Sequence, residues 1–472
     1  MPDISEVEIG AVDPQRFRSV LTDEQMAALN TASEDARELF EGRTIWNVNS
    51  TAHGGGVAEM LTSLLPYARG VGVDTRWLVI GGDDEFFLIT KRIHNHLHGA
   101  TGDGEGLSEE DRRHYEEVLQ GQAEELKQRF RKGDVVILHD PQTAGLIPAL
   151  VDAGLCVVWR CHVGMDTPND DAREAWNFLL PYVQRAARSV FSRQAFAWEG
   201  LQEDRIIVVA PSIDPFSTKN FEMDPASVQA ILAATGILDI GDAAPATYTR
   251  VDGTPGRIDH QATVVESSRV GAETPLVVQV SRWDRLKDPI GVLEGFVGGV
   301  IATCDAHLVL AGPSVAEVAD DPEGSDTYEE VKSAWEALPD EAKTRVHLVC
   351  LPMDDDEENA AMVNALQRRA DVVVQKSLAE GFGLTVAEAM WKARPVVASR
   401  IGGIQDQIED GVSGILLDDP ADRDAFAAAV LGLLTNPERA RSIGEAAQAR
   451  VKDDFLGSRH LAQYVEICAQ LI

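Results

Sequence analysis

Glu380-Gly381-Phe382-Gly383-Leu384-Thr385-Val386-Ala387-Glu388 sets two acids eight positions apart around a glycine-rich turn and the start of a helical pattern. The run before it, Asp371-Val372-Val373-Val374-Gln375, reads as a buried parallel strand, and 385–392 reads as a helix. A strand, a glycine turn and a helix N-terminus offer backbone N–H groups and a positive dipole end to an anion. Carboxylates beside such an anion bind neutral hydroxyls. The pattern therefore suits a ligand that is part phosphate and part polyol, such as a nucleotide sugar. Glycine turns between strand and helix are common, so the stretch needs support from elsewhere in the chain.

That support begins with the rhythm of the sequence. Runs 44–49, 73–80, 134–139, 156–162, 189–192 and 206–209 read as strands, with helical patterns at 57–69, 109–131 and 173–188. Residues 211–274 are rich in Pro, Gly and Asp and break the alternation. It resumes at 275–280, 306–311, 345–351, 371–375, 395–399 and 412–417. The fold class expected is α/β: two doubly wound Rossmann-like domains, with ligand at the carboxyl ends of the strands between them. The boundaries expected are 1–40 as an appended segment, 41–212 and 213–452 as the two domains, and 453–472 as a helix packing back on the first domain. Segment 241–272 is an insertion, ordered or mobile.

Composition removes several function classes. The 472 residues carry a formal charge of −35, which argues against nucleic acid or an anionic membrane as partner. No apolar run is long enough to span a bilayer. The start, MPDISEVEIGAVDPQRF, lacks the basic-then-apolar order of a secretory signal, so a cytoplasmic location is the default. Five scattered cysteines without a C-x-x-C pair indicate neither zinc ribbon nor disulfide framework. Only ten of the 42 basic residues are lysine, an acidic, lysine-poor balance suited to solubility in a salty cytoplasm.

Other stretches at strand ends add polar groups. Ser50-Thr51-Ala52-His53-Gly54-Gly55-Gly56 follows the first strand and opens a helix, so its glycines let backbone approach a ligand closely. It has neither the G-x-G-x-x-G spacing nor the P-loop lysine. Arg282 and Lys287, in Ser281-Arg282-Trp283-Asp284-Arg285-Leu286-Lys287-Asp288, lie where they can reach a shared diphosphate, or pair with Asp284 and Asp288. Arg160-Cys161-His162-Val163-Gly164-Met165-Asp166 brings His162 to another strand end, and Asp140 and Gln142 in His139-Asp140-Pro141-Gln142 offer contacts to an acceptor. His94-x-His96-x-His98 alternates like a strand and looks like a metal comb, but no carboxylate or Cys partner stands at ligand spacing. No metal site is expected there, and His94 and Asn95 read instead as carbohydrate contacts. The run 354–358, Asp-Asp-Asp-Glu-Glu, precedes a helical pattern and reads as capping rather than as a metal site.

Together these residues resemble the retaining glycosyltransferases of family 4, with the acid–seven residues–acid mark at Glu380 and Glu388 and a basic pair at Arg282 and Lys287. The similarity covers roughly residues 40–450. WNVNSTAHGGGVAEML, HDPQTAGLIPAL, WRCHVG and VNALQRRADVVVQKSLAEGFGLTVAEAMWKARPVV are similar to the trehalose synthase branch, which is related to the retaining trehalose phosphorylases. The resemblance implies a GT-B fold whose first domain takes the acceptor and whose second takes the nucleotide sugar. It implies transfer of glucose, reversibly and with retention, from ADP- or UDP-glucose to glucose, giving α,α-trehalose. The alternatives it leaves are a phosphorylase using inorganic phosphate, another family 4 transferase, or a non-enzymatic sugar-nucleotide binder. It assigns Glu380 to the donor glucose, Glu388 to the ribose, and Gly381, Phe382, Gly383 and Leu384 to phosphate and sugar. Arg282 and Lys287 stabilise the departing diphosphate, His162 touches the donor sugar, and Leu351 and Met353 meet the base. Gly54, Gly55 and Gly56 lie near phosphate and acceptor; His94, Asn95, Asp140, Gln142 and Asp166 complete the acceptor side. No cofactor is obligatory, Mg2+ acting at most as a stimulant, and a homodimer is the family-level expectation.

Overall fold

Continuous runs of β-branched residues, apolar on both faces, become the inner strands of two mainly parallel sheets. The computed structural model describes residues 4–52, 55–102, 104–240, 245–315 and 322–472. Their contacts divide the chain into two units, Met1–Ile213 with Phe455–Ile472, and Asp214–Asp454.

In the first unit β1 (Ser5–Val7), β2 (Thr44–Asn49), β3 (Asp74–Val79), β4 (Val135–His139), β5 (Cys156–Cys161), β6 (Arg188–Phe191) and β7 (Ile206–Val208) form one sheet. Its order is β1-β3-β2-β4-β5-β6-β7, and only β1 runs antiparallel. The chain leaves β2 toward one edge and β4 toward the other. A crevice therefore opens at the carboxyl ends of these two strands.

Helices α1 (Asp23–Leu39), α2 (Gly56–Gly70), α3 (Asp84–Leu97), α4 (Glu109–Arg129) and α5 (Asp170–Val183) cover the sheet, α1 and α4 starting at capping boxes built on Thr22 and Ser108. Alternation along the strands splits the core: Leu138 and Trp159 join Phe86, Tyr115 and Leu179, whereas Ile137 and Val158 join Phe40 and Ile467. Residues before 40, expected as an appended segment, thus supply an edge strand and a covering helix to this unit. The helix Gly457–Ala469 belongs to the same unit through Ile467 and Cys468.

Two readings of the sequence change here. The three histidines expected to alternate as a strand lie at the end of α3. Phe86, Ile89, Ile93 and Leu97 recur at helical spacing on its buried face, and Asp83 caps it by accepting from the Phe86 N–H at 2.8 Å. The helix expected over 173–188 begins at Asp170, because Asn169 accepts from the Ala172 N–H at 3.0 Å, and ends at Val183.

In the second unit the sheet order is β11 (Thr263–Val265), β15 (Val346–Leu351), β14 (His307–Pro313), β13 (Leu276–Val280), β16 (Val372–Gln375), β17 (Val396–Ser399) and β18 (Ile415–Leu417), with β11 antiparallel. Here the direction of winding reverses between β13 and β16. Helices α6 (Pro289–Gly295), α7 (Asp356–Arg369) and α8 (Leu384–Trp391) follow β13, β15 and β16.

The insertion expected over 241–272 is ordered from residue 245 onward; 241–244 lie outside the described residues. It forms a hairpin of β9 (Thr247–Thr249) with β10 (Pro255–Arg257), supplies β11, and pairs β12 (Val270–Gly271) with β8 (Leu238–Asp239). The acidic run at 354–358 fastens it. Asp355 caps α7, accepting from Glu357 and Glu358 N–H groups at 2.9 and 3.1 Å, and also pairs with Arg250 at 2.6 Å. Buried Glu358 accepts from the N–H groups of Asp259 and His260 at 2.7 and 2.8 Å, and its second oxygen lies 2.7 Å from His260 Nδ1. Capping is thus half of what these acids do.

Glu358→Ala strands both N–H groups, so it is expected to lower stability by about 2–4 kcal/mol in urea unfolding and to open 245–272 to protease. Unchanged stability and cleavage would contradict this fastening.

Candidate functional site

The reversal point of the second sheet gathers the charged residues. β13 ends at Val280 and the chain turns through a short 3-10 helix, Arg285–Lys287; β16 ends at Gln375 and leads to Glu380. Lys287 Nζ donates to Glu380 Oε2 at 2.7 Å, and both side chains are mostly shielded from solvent. Three bonds fix this register: Leu378 N–H to the Leu286 carbonyl at 2.7 Å, Gln279 Nε2 to the Lys287 carbonyl at 2.8 Å, and an ion pair between buried Lys376 and Asp288. Asp288 is left-handed (φ 49°) and caps α6 by accepting from Gly291 N–H. Arg282 is 70% exposed and stands 3.7 Å from Asp284. Of the basic pair, Lys287 is joined to Glu380 while Arg282 projects toward water.

The turn around Glu380 is held from behind. Gly383 takes a left-handed φ of 84° and opens α8 without any side-chain cap. The first N–H groups of α8 are therefore not claimed by a capping side chain, which is the arrangement an anion uses. Gly403 N–H donates to the Gly381 carbonyl at 2.8 Å, and Gln407 Nε2 donates to the Phe382 carbonyl at 2.6 Å. A Cβ on Gly402, also left-handed, would overlap the Glu380 carbonyl oxygen, so only glycine fits there.

Glu388 lies inside α8 with 3% exposure. One turn on, Lys392 Nζ donates to the Glu388 carbonyl, Asn220 Oδ1 and Gln367 Oε1 at 3.0, 3.0 and 2.8 Å. Burial depresses the Lys392 amine to about 7, opposed by the nearby Glu388 carboxylate. Leu351 ends β15 buried, and its carbonyl accepts from Ser314 N–H at 2.8 Å. Asn359 Nδ2 then holds the Pro352 carbonyl at 2.9 Å and the Met353 sulfur at 3.3 Å.

The first unit has its own polar cluster at the ends of β4 and β5. Asp140 follows β4 in a left-handed conformation (φ 64°) and accepts from the His162 N–H at 2.8 Å. Burial raises its carboxyl to about 7, against the lowering pull of that hydrogen bond and of Arg160. Fully buried Arg160 lies with Nε 3.1 Å from His162 Nε2 and donates to Tyr464 Oη at 2.7 Å and the Val209 carbonyl at 3.1 Å. His139 Nδ1 is 3.3 Å from His162 Nε2, and the rings stack. Burial, then the Arg160 charge, hold His139 near 3 and His162 well below its ordinary value, so both rings are neutral at pH 7.

The remaining expectations fall on the same unit. Gly55 (φ 82°) caps α2 and Gly56 begins it, both exposed and with no side-chain cap; Gly54 and His53 lie outside the described residues. Gln142 is half-buried in the short helix Asp140–Ala144 that follows β4. Asp166 pairs with Arg193. His94 sits edge-on to His98, and Asn95 is half-buried on α3. One of the three histidines, expected to stand without a carboxylate partner, has one in the fold: His96 Nδ1 is 3.4 Å from Glu174 Oε2, with Asp171 in the same cluster. Seventy-eight residues of separation hid this, since α3 and α5 meet only in the folded sheet.

Sequence reading missed Arg160, Tyr464 and Lys376 as supports, and offered Asp288 to Arg282 or Lys287 where the structure pairs it with Lys376. Arg160 stood two residues from a chosen histidine, and a lone Lys after a buried strand gave the only sign of Lys376. Tyr464 left no local signal.

A family described as "Trehalose synthase, N-terminal domain" matches residues 47–198, and "Glycosyl transferases group 1" matches 262–450. A trehalose synthase of Rubrobacter xylanophilus is 34% identical over 463 residues, covering 97% of this chain and 96% of its own. A trehalose phosphorylase of Grifola frondosa is 26% identical, covering 90% of this chain and 57% of its own. An E. coli trehalose-6-phosphate structure bound with UDP-2-fluoro glucose superposes with a TM-score of 0.67 at 12% identity, over 91% of this chain and 99% of that one. The two sheets are those of the GT-B fold.

The raised Asp140 carboxyl fixes a sign. Its folded value exceeds the ordinary one of about 3.9, so the native state holds the proton more tightly and stability drains away between pH 4 and 7. Asp140→Asn should melt higher than the parent at pH 8, with the gap closing as pH falls toward 4. A gap that does not shrink on acidification would contradict the assignment.

Proposed function

The chain belongs to the trehalose synthase family of GT-B glycosyltransferases, and from there we propose that it moves glucose from ADP- or UDP-glucose to free glucose. The product is α,α-trehalose, formed with retention, and the reaction runs both ways. The observation that carries this reading is the Lys287–Glu380 pair at the reversal point of the second sheet, beside an uncapped helix start. A cation and a carboxylate held 2.7 Å apart fit a ligand whose diphosphate and sugar hydroxyls adjoin. A fold neighbour bound with UDP-2-fluoro glucose supports a nucleotide-sugar donor.

In this reading Glu380 accepts from donor glucose hydroxyls and Glu388 from the ribose. Arg282, Lys287 and the N–H groups of Gly381 to Leu384 take the diphosphate, with Leu351 and Met353 at the base. His162, neutral and braced by Arg160, meets the donor sugar without adding charge. Gly54, Gly55, Gly56, His94, Asn95, Asp140, Gln142 and Asp166 serve the acceptor. Asp140, whose carboxyl burial raises toward neutral pH, can give a hydrogen bond there when protonated and accept one when ionised.

No side chain acts as nucleophile. The bond from C1 to the diphosphate oxygen breaks, the acceptor oxygen bonds to C1 on the same face, and its proton passes to the departing phosphate oxygen. The protein's part is to hold the sugars in attack geometry and to stabilise charge on the leaving group. The reading needs no obligatory cofactor and treats Mg2+ as a stimulant. It sets the reaction in the cytoplasm; the family resemblance supports a homodimer. A phosphorolytic reaction is the second reading, favoured by the Grifola frondosa relative.

Trehalose cleavage assayed separately with ADP, UDP and phosphate should proceed with a nucleoside diphosphate; activity with phosphate alone would overturn the first reading. Glu380→Ala should lower turnover about 100-fold or more with the fold intact, and Arg282→Ala should weaken nucleotide affinity. Undiminished turnover in the first variant, or parental affinity in the second, would contradict the role given to each.

A further inference from the structure

His96 has no place in the chemistry above, yet it is the most unusual histidine in the first unit. It is 1% exposed, and neither ring nitrogen has a hydrogen-bond partner. A buried imidazole without partners is costly unless something occupies its lone pair. What faces it is a carboxylate, with Nδ1 3.4 Å from Glu174 Oε2. Asp171 completes the group, and one ligand atom from each of the three residues lies within 4.8 Å of the others.

The two acids have an ordinary explanation, because acids in the first turns of α5 favour its positive end. That explanation does not reach His96, which comes from α3. The carboxylates are also oriented in a way that leaves one face for a ligand. Glu174 Oε1 accepts from the Leu107 N–H at 3.0 Å, so its other oxygen turns to the imidazole. Asn169 Nδ2 lies 3.4 Å from Asp171 Oδ2 and donates to the Gly99 carbonyl at 2.8 Å. These are the outer contacts that commonly aim carboxylates at a metal. Glu174 is 42% exposed, which leaves a way in from solvent.

We propose that His96, Asp171 and Glu174 bind a divalent transition ion, with Zn2+ the closest chemical match. One imidazole and two carboxylates suit Zn2+ or Co2+, whereas Mg2+ and Ca2+ prefer oxygen ligands alone. Bonds of about 2.1 Å in a tetrahedral site put ligand atoms about 3.4 Å apart, the separation His96 and Glu174 already have. Water takes the fourth position. The ion ties the end of α3 to the start of α5 and braces the Gly99 and Leu107 backbone between them.

The test uses the full chain, stripped with chelator and titrated with Co2+ in excess Mg2+, which occupies the acidic surface. One Co2+ per chain should bind with a visible d–d band, disappear on stoichiometric Zn2+, and raise the melting temperature. His96→Ala and Glu174→Gln should each weaken binding by about tenfold or more, with unchanged circular dichroism. Glu174→Gln keeps the carbonyl that Leu107 needs, so it guards against a folding artefact. Absence of a stoichiometric phase in the parent, or parental affinity in both variants, would overturn the site.

Discussion

Everything in the second unit turns on bringing a lysine and a glutamate, 93 residues apart, into one shielded pair. Two charges that have lost most of their water are tolerable only when each has the other at hydrogen-bond distance. That requirement fixes the two loops leaving β13 and β16 against each other. The Lys376–Asp288 pair and the bond from Leu378 to Leu286 then keep the loops in register. Strand order makes this possible, because the two strands are neighbours whose chains depart in opposite directions. The same winding in the first unit puts the Gly55 turn and Asp140 at the ends of adjacent strands.

Electrostatics differ between the units. In the second, opposite charges neutralise one another in pairs. In the first, one buried guanidinium presides over imidazoles that burial keeps neutral and a carboxyl raised to about 7. Arg160 reaches from β5 to Tyr464 near the end of the chain, which ties the C-terminal helix to the same cluster.

The α/β alternation and the strands were readable because runs such as Val372–Gln375 and Leu276–Val280 are apolar on both faces, a pattern that parallel sheets impose. The glycine turn with its flanking acids was readable for a similar reason, since Gly383 occupies backbone that other residues strain to adopt. What escaped was contact between distant segments. The acids at 354–358 looked like a helix cap, yet Glu358 also grips residues 259 and 260. The three histidines looked like a strand because their alternation overlapped a helical period set by Phe86, Ile89, Ile93 and Leu97. Pairings such as His96 with Glu174 leave no trace in local spacing.

A crystal structure with intact ADP-glucose or UDP-glucose bound tests the account most directly. The account predicts the glucose hydroxyls on the Glu380 carboxylate, the ribose on Glu388, and the diphosphate against Lys287 and the start of α8. A nucleotide sugar seated elsewhere, with the Lys287–Glu380 pair untouched, would contradict it.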